Sequence, residues 1–183
     1  MGSQFSAIFS PLVRKELIII GLVGKPKSGT STILTKLDLG AITSWVERED
    51  GSHIESLRYK NILFSVLNLG WDSGMSSILS FLFNDSLAIV FVIDSTDREH
   101  IDWIREDFEA LYKRHPDSIF LFLANKQDLP EAMSLAEITE KYGLDEICDH
   151  KWHLQATCAI SGEGLSEGFE WLVTSIVDSM NSN

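Results

Sequence analysis

Gly24-Lys25-Pro26-Lys27-Ser28-Gly29-Thr30-Ser31 decides the reading of this chain. A phosphate-binding loop follows the pattern G-x-x-x-x-G-K-[ST] between a strand and a helix. Its glycines let backbone N–H groups close on phosphate oxygens, and its lysine supplies a cation. Gly24 and Gly29 stand at the required spacing and Ser31 holds the hydroxyl position, but the lysine position is Thr30. Upstream, Glu16-Leu17-Ile18-Ile19-Ile20-Gly21-Leu22-Val23 reads as a buried strand. Downstream, Thr32-Ile33-Leu34-Thr35-Lys36-Leu37 reads as the start of a helix. The context of the motif is present without its cation. Lys25 and Lys27, inside the loop, have two open roles: returning positive charge to a phosphate, or plain exposure to solvent.

Outward from the loop, Gly40 to Gly51 is irregular and polar. The runs His53–Tyr59 and Ile62–Leu67 flank Lys60-Asn61 and read as a β-hairpin. The second run ends in Asn68-Leu69-Gly70-Trp71-Asp72, and a helix-like apolar run, Ile78 to Phe83, follows. Leu87–Ile93 is a continuous apolar strand closing on Asp94-Ser95-Thr96-Asp97. Thr96 with Glu99 predicts a capping box opening a helix through about Lys113. Ser118–Ala124 is a further strand, ending in Asn125-Lys126-Gln127-Asp128. A second capping box, Ser134 to Glu137, opens a helix to Tyr142. Trp152–Ala156 is the last strand, leading into Thr157-Cys158-Ala159-Ile160-Ser161, and a final helix runs from about Gly164 to Met180. Continuous apolar strands alternating with helices indicate a parallel sheet covered on both faces, with ligands at the carboxyl ends of the strands. The phosphate loop, Asn68–Gly70, Asn125–Asp128 and Thr157–Ile160 all fall at such ends.

Bulk properties narrow the function. The chain of 183 residues suits one domain with a substantial core, and 44% hydrophobic with 23% charged content is ordinary for a globular protein. A net charge of -12 argues against nucleic acid as a partner, because phosphate backbones recruit Lys/Arg-rich surfaces. Cys148 and Cys158 make no disulfide framework and fit a reducing cytosol. The histidines lack metal-ligand spacing, so His150 and His153 read as surface or packing residues. No apolar run reaches the length of about 18 residues of a membrane span.

The N-terminus carries its own signal. Met1-Gly2-Ser3-Gln4-Phe5-Ser6 fits the N-myristoylation pattern at Gly2. Phe5, Ile8, Phe9, Leu12 and Val13 then recur on one helical face, with Arg14 and Lys15 as a positive flank, although Pro11 interrupts the helix. Residues 1–15 are therefore expected to be an amphipathic, acylated segment attached to a membrane, the other reading being a helix packed permanently on the domain.

Several stretches carry a resemblance. Val92-Ile93-Asp94-Ser95-Thr96-Asp97-Arg98-Glu99, Ala124-Asn125-Lys126-Gln127-Asp128-Leu129-Pro130, Ala136-Glu137-Ile138-Thr139 and Gln155-Ala156-Thr157-Cys158-Ala159 resemble the ADP-ribosylation factor (Arf) and Arf-like small GTPases almost letter for letter. The resemblance spans essentially the whole chain and implies an α/β P-loop NTPase fold of the small-GTPase (G-domain) type over residues 16–183. That fold would have a mostly parallel six-stranded sheet, one antiparallel edge strand and helices on both faces. It implies guanine recognition by Asp128, a carboxylate expected to be buried and to accept from the guanine ring N–H and amine. Asn125 would brace the loop, Lys126 would lie along the base, and the Ala159 N–H, beside Cys158, would reach the guanine carbonyl. Gly24, Lys27, Ser28, Gly29, Thr30, Ser31, Thr32 and Gly70 would face the phosphates, with Ser31 a weak ligand for Mg2+. The implied ligands are GTP or GDP. The implied setting is a monomer, peripheral on intracellular (Golgi or endomembrane) membranes, meeting effectors and regulators.

The phosphate half departs from that family. Asn68 stands at the Asp of D-x-x-G, Trp71 at a glycine whose N–H contacts the γ-phosphate, and Asp72 at the water-positioning Gln. The first switch reads Val46-Glu47-Arg48-Glu49-Asp50-Gly51 with no magnesium-binding Thr, and the hairpin aromatic is Leu67. Losing one charge-assisted hydrogen bond costs about 1.5–3 kcal/mol, roughly 10–150-fold in affinity. Phosphoryl transfer depends almost wholly on positioning and charge stabilisation, so these changes together predict little or no hydrolysis. Three readings stay open: a divergent nucleotide-loaded Arf-like protein, a nucleotide-independent interaction module, and a GTPase using Lys25 or Lys27 in place of the missing lysine.

Overall fold

The computed structural model describes residues 4–12, 17–38, 42–47, 53–59, 61–68 and 86–182. Its centre is a sheet in the order β2-β3-β4-β1-β5-β6-β7, where β1 is Ile18–Gly24, β2 Ile42–Glu47, β3 His53–Tyr59, β4 Ile62–Asn68, β5 Ala88–Asp94, β6 Ile119–Asn125 and β7 Trp152–Ala156. Strands β4, β1, β5, β6 and β7 run parallel, while β3 is antiparallel to both β4 and β2. The six expected strands are all present. The polar stretch read as irregular supplies a further strand, β2, whose backbone pairs with β3 across Trp45↔Glu55 and Glu47↔His53. Its sequence has no continuous apolar run, but Ile42, Thr43, Trp45 and Val46 all favour strands, and pairing with β3 completes it.

Helices α1 (Gln4–Ile8), α2 (Thr30–Leu37), α3 (Ile101–Arg114), α4 (Leu135–Tyr142) and α5 (Leu165–Ser182) cover the sheet. Every residue of β6 is buried, as both-face coverage requires. Along β5, Ala88, Val90 and Val92 join the core under α1, α2 and α5, while Ile89, Phe91 and Ile93 join the core under α3 and α4. That alternation is the period of a strand read out as two separate cores. The second capping box forms as expected: the Glu137 N–H donates to Ser134 Oγ at 3.2 Å and the Ser134 N–H to Glu137 Oε2 at 2.9 Å. The first does not. The Thr96 hydroxyl donates to Asp94 Oδ1 at 2.7 Å instead, Asp97 accepts from the Glu99 and His100 N–H groups, and α3 begins only at Ile101. The nearer carboxylate takes the Thr96 hydroxyl, leaving it unable to cap.

The N-terminal segment is not a separate appendage over its described part. Phe5, Phe9 and Leu12 are buried in the core. Phe9 packs edge-on to Phe64 of β4 at 5.4 Å and lies 5.7 Å from Phe169 of α5, which Phe5 also meets. Asn61 fixes its far end by donating from Nδ2 to the Leu12 carbonyl at 2.9 Å. Pro11 ends α1's pattern in a 3-10 turn, Ser10–Leu12, as its missing N–H dictates. Gly2, Gly70, Trp71, Asp72 and the helix expected at 78–83 lie outside the described residues. His150 and His153 are packing residues: His150 contacts Phe120 and Tyr112, and His153 stacks on Trp171 at 5.0 Å.

Candidate functional site

Register delivers the site. Gly24 is level with Asn68 and with Val92, and Asp94 is level with Asn125. The loops leaving β1, β5, β6 and β7 therefore open on one edge of the sheet. Asn125 joins three of them. Its side chain is 1% exposed; Nδ2 donates to the Ser28 carbonyl at 2.7 Å, and Oδ1 accepts from the Ala159 N–H at 2.9 Å, with the Thr157 hydroxyl at 3.4 Å. Gly29, at φ 104°, lies so close that a Cβ there would stand 2.1 Å from Asn125 Nδ2. Only glycine fits both the left-handed conformation and the approach.

A cavity of about 160 Å³ opens beside this strut. Lys27, Gly29 and Thr32 form one wall, Asn125, Lys126, Asp128 and Leu129 a second, and Ala159 with Ile160 a third. The residues expected to read a base are thus brought together, with three differences in detail. Asp128 is exposed rather than buried, and it makes no hydrogen bond or ion pair among the described residues. Lys126 reaches Asp94 Oδ2 at 2.5 Å, so its ammonium is anchored to the end of β5 while its stem lines the cavity. The Ala159 N–H, expected to point at a base carbonyl, is taken by Asn125. Cys158 is buried behind the wall, its N–H donating to the Glu163 carbonyl at 3.0 Å, so it shapes the loop without lining the cavity. Ile160 falls in a motif expected at a strand end but with no role assigned to it, and Asp94 carries no expectation as a site residue. Ile160 is 76% exposed on the cavity rim, a large apolar side chain standing in water.

These loops match a known group. The sequence model described as the ADP-ribosylation factor family matches residues 3–176. The chain belongs to the ADP-ribosylation factor family. It is a small GTP-binding protein of Arf type, in a family whose members bind GTP or GDP with Mg2+ and meet effectors and regulators. No helix among the described residues is long and apolar enough to cross a membrane.

The phosphate side of this Arf-family site is built from hydroxyls. Ser28 and Thr30 are 1% and 2% exposed, and their hydroxyl oxygens are 3.0 Å apart. Thr30 therefore does not present its side chain to the open face of the loop. Ser31 and Thr32, the next two residues, are exposed on the first turn of α2. Lys27 is exposed at φ 67°, whereas Lys25 is buried at 5%. Of the two loop cations, then, only Lys27 sits where solvent or a phosphate could meet it. For magnesium, this side of the site supplies the Ser31 hydroxyl, exposed on the first turn of α2, and no group of three or more metal-ligating side chains occurs among the described residues. Magnesium keeps several waters and takes one or two carboxylates together with phosphate oxygens, so it needs no cluster of carboxylates.

Proposed function

We propose that this Arf-family protein is a membrane-associated guanine-nucleotide-binding protein of vesicle and membrane traffic that hydrolyses GTP little or not at all. One observation carries the reading: the two halves of the pocket are unequal. On the base side an exposed carboxylate, Asp128, lines a cavity beside the Asn125 strut. On the phosphate side the position of the missing lysine is buried against Ser28. A carboxylate matches the paired donors of guanine, and adenine offers no such pair. Lys27, Ser31 and Thr32, whose side chains are exposed, would meet the phosphates directly, while Gly24, Ser28, Gly29, Thr30 and Gly70 would complete the loop around them. Asp72, at the position of the water-orienting glutamine, would add negative charge beside a negative γ-phosphate, which opposes hydrolysis.

Attachment to endomembranes would begin with an acyl chain on Gly2. One chain binds a bilayer marginally, so a second apolar or basic contact is needed. Phe5 and Phe9 are engaged with β4 and α5. Their insertion into lipid would require release from the core, each ring giving up about 1.5–3 kcal/mol of burial.

The test is direct: purified protein is heat-denatured and the released nucleotide assayed. Stoichiometric GDP or GTP is expected, and Asp128→Asn should weaken guanine binding at least tenfold. An empty preparation whose melting temperature ignores added GTP and magnesium would refute the reading. For attachment, Gly2→Ala is expected to release the protein from membranes, and unchanged partition would refute acylation.

A second reading is a nucleotide-independent pseudo-GTPase, a membrane-attached interaction module with Trp71 as a contact. It is favoured by the Ala159 N–H and the Ser28 carbonyl, both satisfied by Asn125 without any ligand. The same nucleotide assay separates the two.

A further inference from the structure

The charged residues that line the cavity beside the Asn125 strut are Lys27, Lys126 and Asp128. Lys126 is spent on Asp94, which its ammonium reaches at the end of β5. Lys27 and Asp128 differ from it. Both are exposed, they line different walls, and neither makes a hydrogen bond or ion pair among the described residues, with the other included. The cavity therefore presents one cation and one anion whose hydrogen-bonding capacity is unspent.

The backbone at Lys27 adds a second observation. Its φ of 67° is left-handed, a conformation that glycine adopts freely and that costs a residue carrying a Cβ. The phosphate-loop pattern asks for nothing at this position, since it sets only the glycines at 24 and 29, the cation at 30 and the hydroxyl at 31. Residue 30 is a threonine buried against Ser28, with its hydroxyl oxygen 3.0 Å from that of Ser28. The cation that the pocket offers thus stands on the cavity wall beside Gly29 and Thr32, not at the start of α2.

We infer that Lys27 is the residue that distinguishes a phosphorylated guanosine from the bare nucleoside, its ammonium donating to the phosphate chain while Asp128 takes the guanine edge. This rests on the guanine-recognition reading above. Loop and helix-start N–H groups hold phosphates in their own right, and Lys27 adds a charged contact to theirs from the side of the cavity. A nucleoside has donors for Asp128 and no anion for Lys27, so only a nucleotide engages both charges. A charge-assisted hydrogen bond is worth about 10–150-fold in affinity. Exposure to water and salt puts that of Lys27 at the lower end, about tenfold.

Lys27→Met keeps the length of the side chain and removes its charge. In calorimetric titrations of the full chain, this variant is expected to bind GMP and GDP about tenfold more weakly and guanosine as before, at an unaltered melting temperature of the ligand-free protein. Lys27→Arg, which keeps the charge, should retain the nucleotide affinities. Unchanged GMP affinity in Lys27→Met, or guanosine weakened as much as GMP, overturns the inference and leaves guanine recognition standing. Failure of the unmodified chain to bind any of the three overturns both.

Discussion

Replacing Asn125 by Ala should be the most damaging single substitution at the site, and its size follows from the bonds it breaks. The residue is 1% exposed, so water cannot readily replace its side chain. Two backbone groups lose their partners: the Ser28 carbonyl, now bonded at 2.7 Å, and the Ala159 N–H, now bonded at 2.9 Å. A buried polar group left unsatisfied costs about 1–3 kcal/mol, so the two together cost about 4 kcal/mol. The Thr157 hydroxyl at 3.4 Å is too distant to add much. For a chain of this size about 4 kcal/mol corresponds to a melting temperature lower by roughly 8–16 °C. Urea unfolding followed by tryptophan fluorescence and circular dichroism should show a lower midpoint with an unchanged slope, the signature of lost stability rather than altered compactness. Asn125→Asp is the sharper control. It keeps an acceptor for the Ala159 N–H but turns an oxygen, and a buried charge, toward the Ser28 carbonyl, so it should be at least as damaging. A loss under about 1 kcal/mol for either variant would show that the three loops do not depend on this strut.

Other outcomes follow from the same contacts. Gly29→Ala must adopt φ 104° and push against Asn125 Nδ2, and is expected to lose about 2 kcal/mol in urea unfolding; a neutral result would refute the close approach. Phe9→Ala empties a site shared by Phe64 and Phe169 and should cost about 3–5 kcal/mol, whereas a loss below about 1 kcal/mol would mean that the N-terminal segment is not docked in solution. Ser134→Ala removes the cap of α4 and should cost about 1 kcal/mol, measured by the same unfolding curve. Burial, with Arg114 nearby, pushes His115 below its ordinary pKa. The unfolded chain therefore binds a proton at His115 more readily than the folded one. Its contribution is complete above pH 6.5 and is lost as pH falls below that value. His115→Gln should flatten the stability profile across that window, and an unaltered slope would count against it.

Much of this was legible from the chain because two strong patterns coincide. Apolar strands such as Ile119–Asn125 can be buried only under helices on both faces, and the motif residues follow those strands directly. Position in sequence thus translated into position at one sheet edge. What escaped depends on competition between partners. Strand β2 has strand-favouring residues in Ile42, Thr43, Trp45 and Val46 but no continuous apolar run to mark it, and its pairing with β3 lies outside any local window. The capping role expected of Thr96 lost to a carboxylate two residues away, and the cap expected of Ser134, with no such rival, formed. Lys126 was expected along a base, and its attachment to Asp94 requires β5 and β6 to be neighbours in register, which no local window contains. The N-terminal face could have met lipid or protein on the same amphipathic pattern. Its burial against Phe64 and Phe169 is a fact of tertiary packing.

The two halves of the N-K-x-D loop do not weigh equally as evidence for nucleotide binding. Asn125 satisfies the Ser28 carbonyl and the Ala159 N–H, so the fold needs an amide there whether or not a base ever enters. Lys126 likewise has a structural partner in Asp94. Asp128 differs, because it is exposed, lines the cavity and has no hydrogen bond or ion pair among the described residues. An exposed carboxylate in that position adds almost nothing to stability, surface charges contributing at most about 1 kcal/mol even when paired. Substituting Asp128 should therefore leave unfolding unchanged while substituting Asn125 lowers it. Loss of guanine binding in Asp128→Asn at unchanged stability would be a binding effect alone, which the Asn125 variants cannot provide. Asp128 is the residue on which the guanine-binding reading stands.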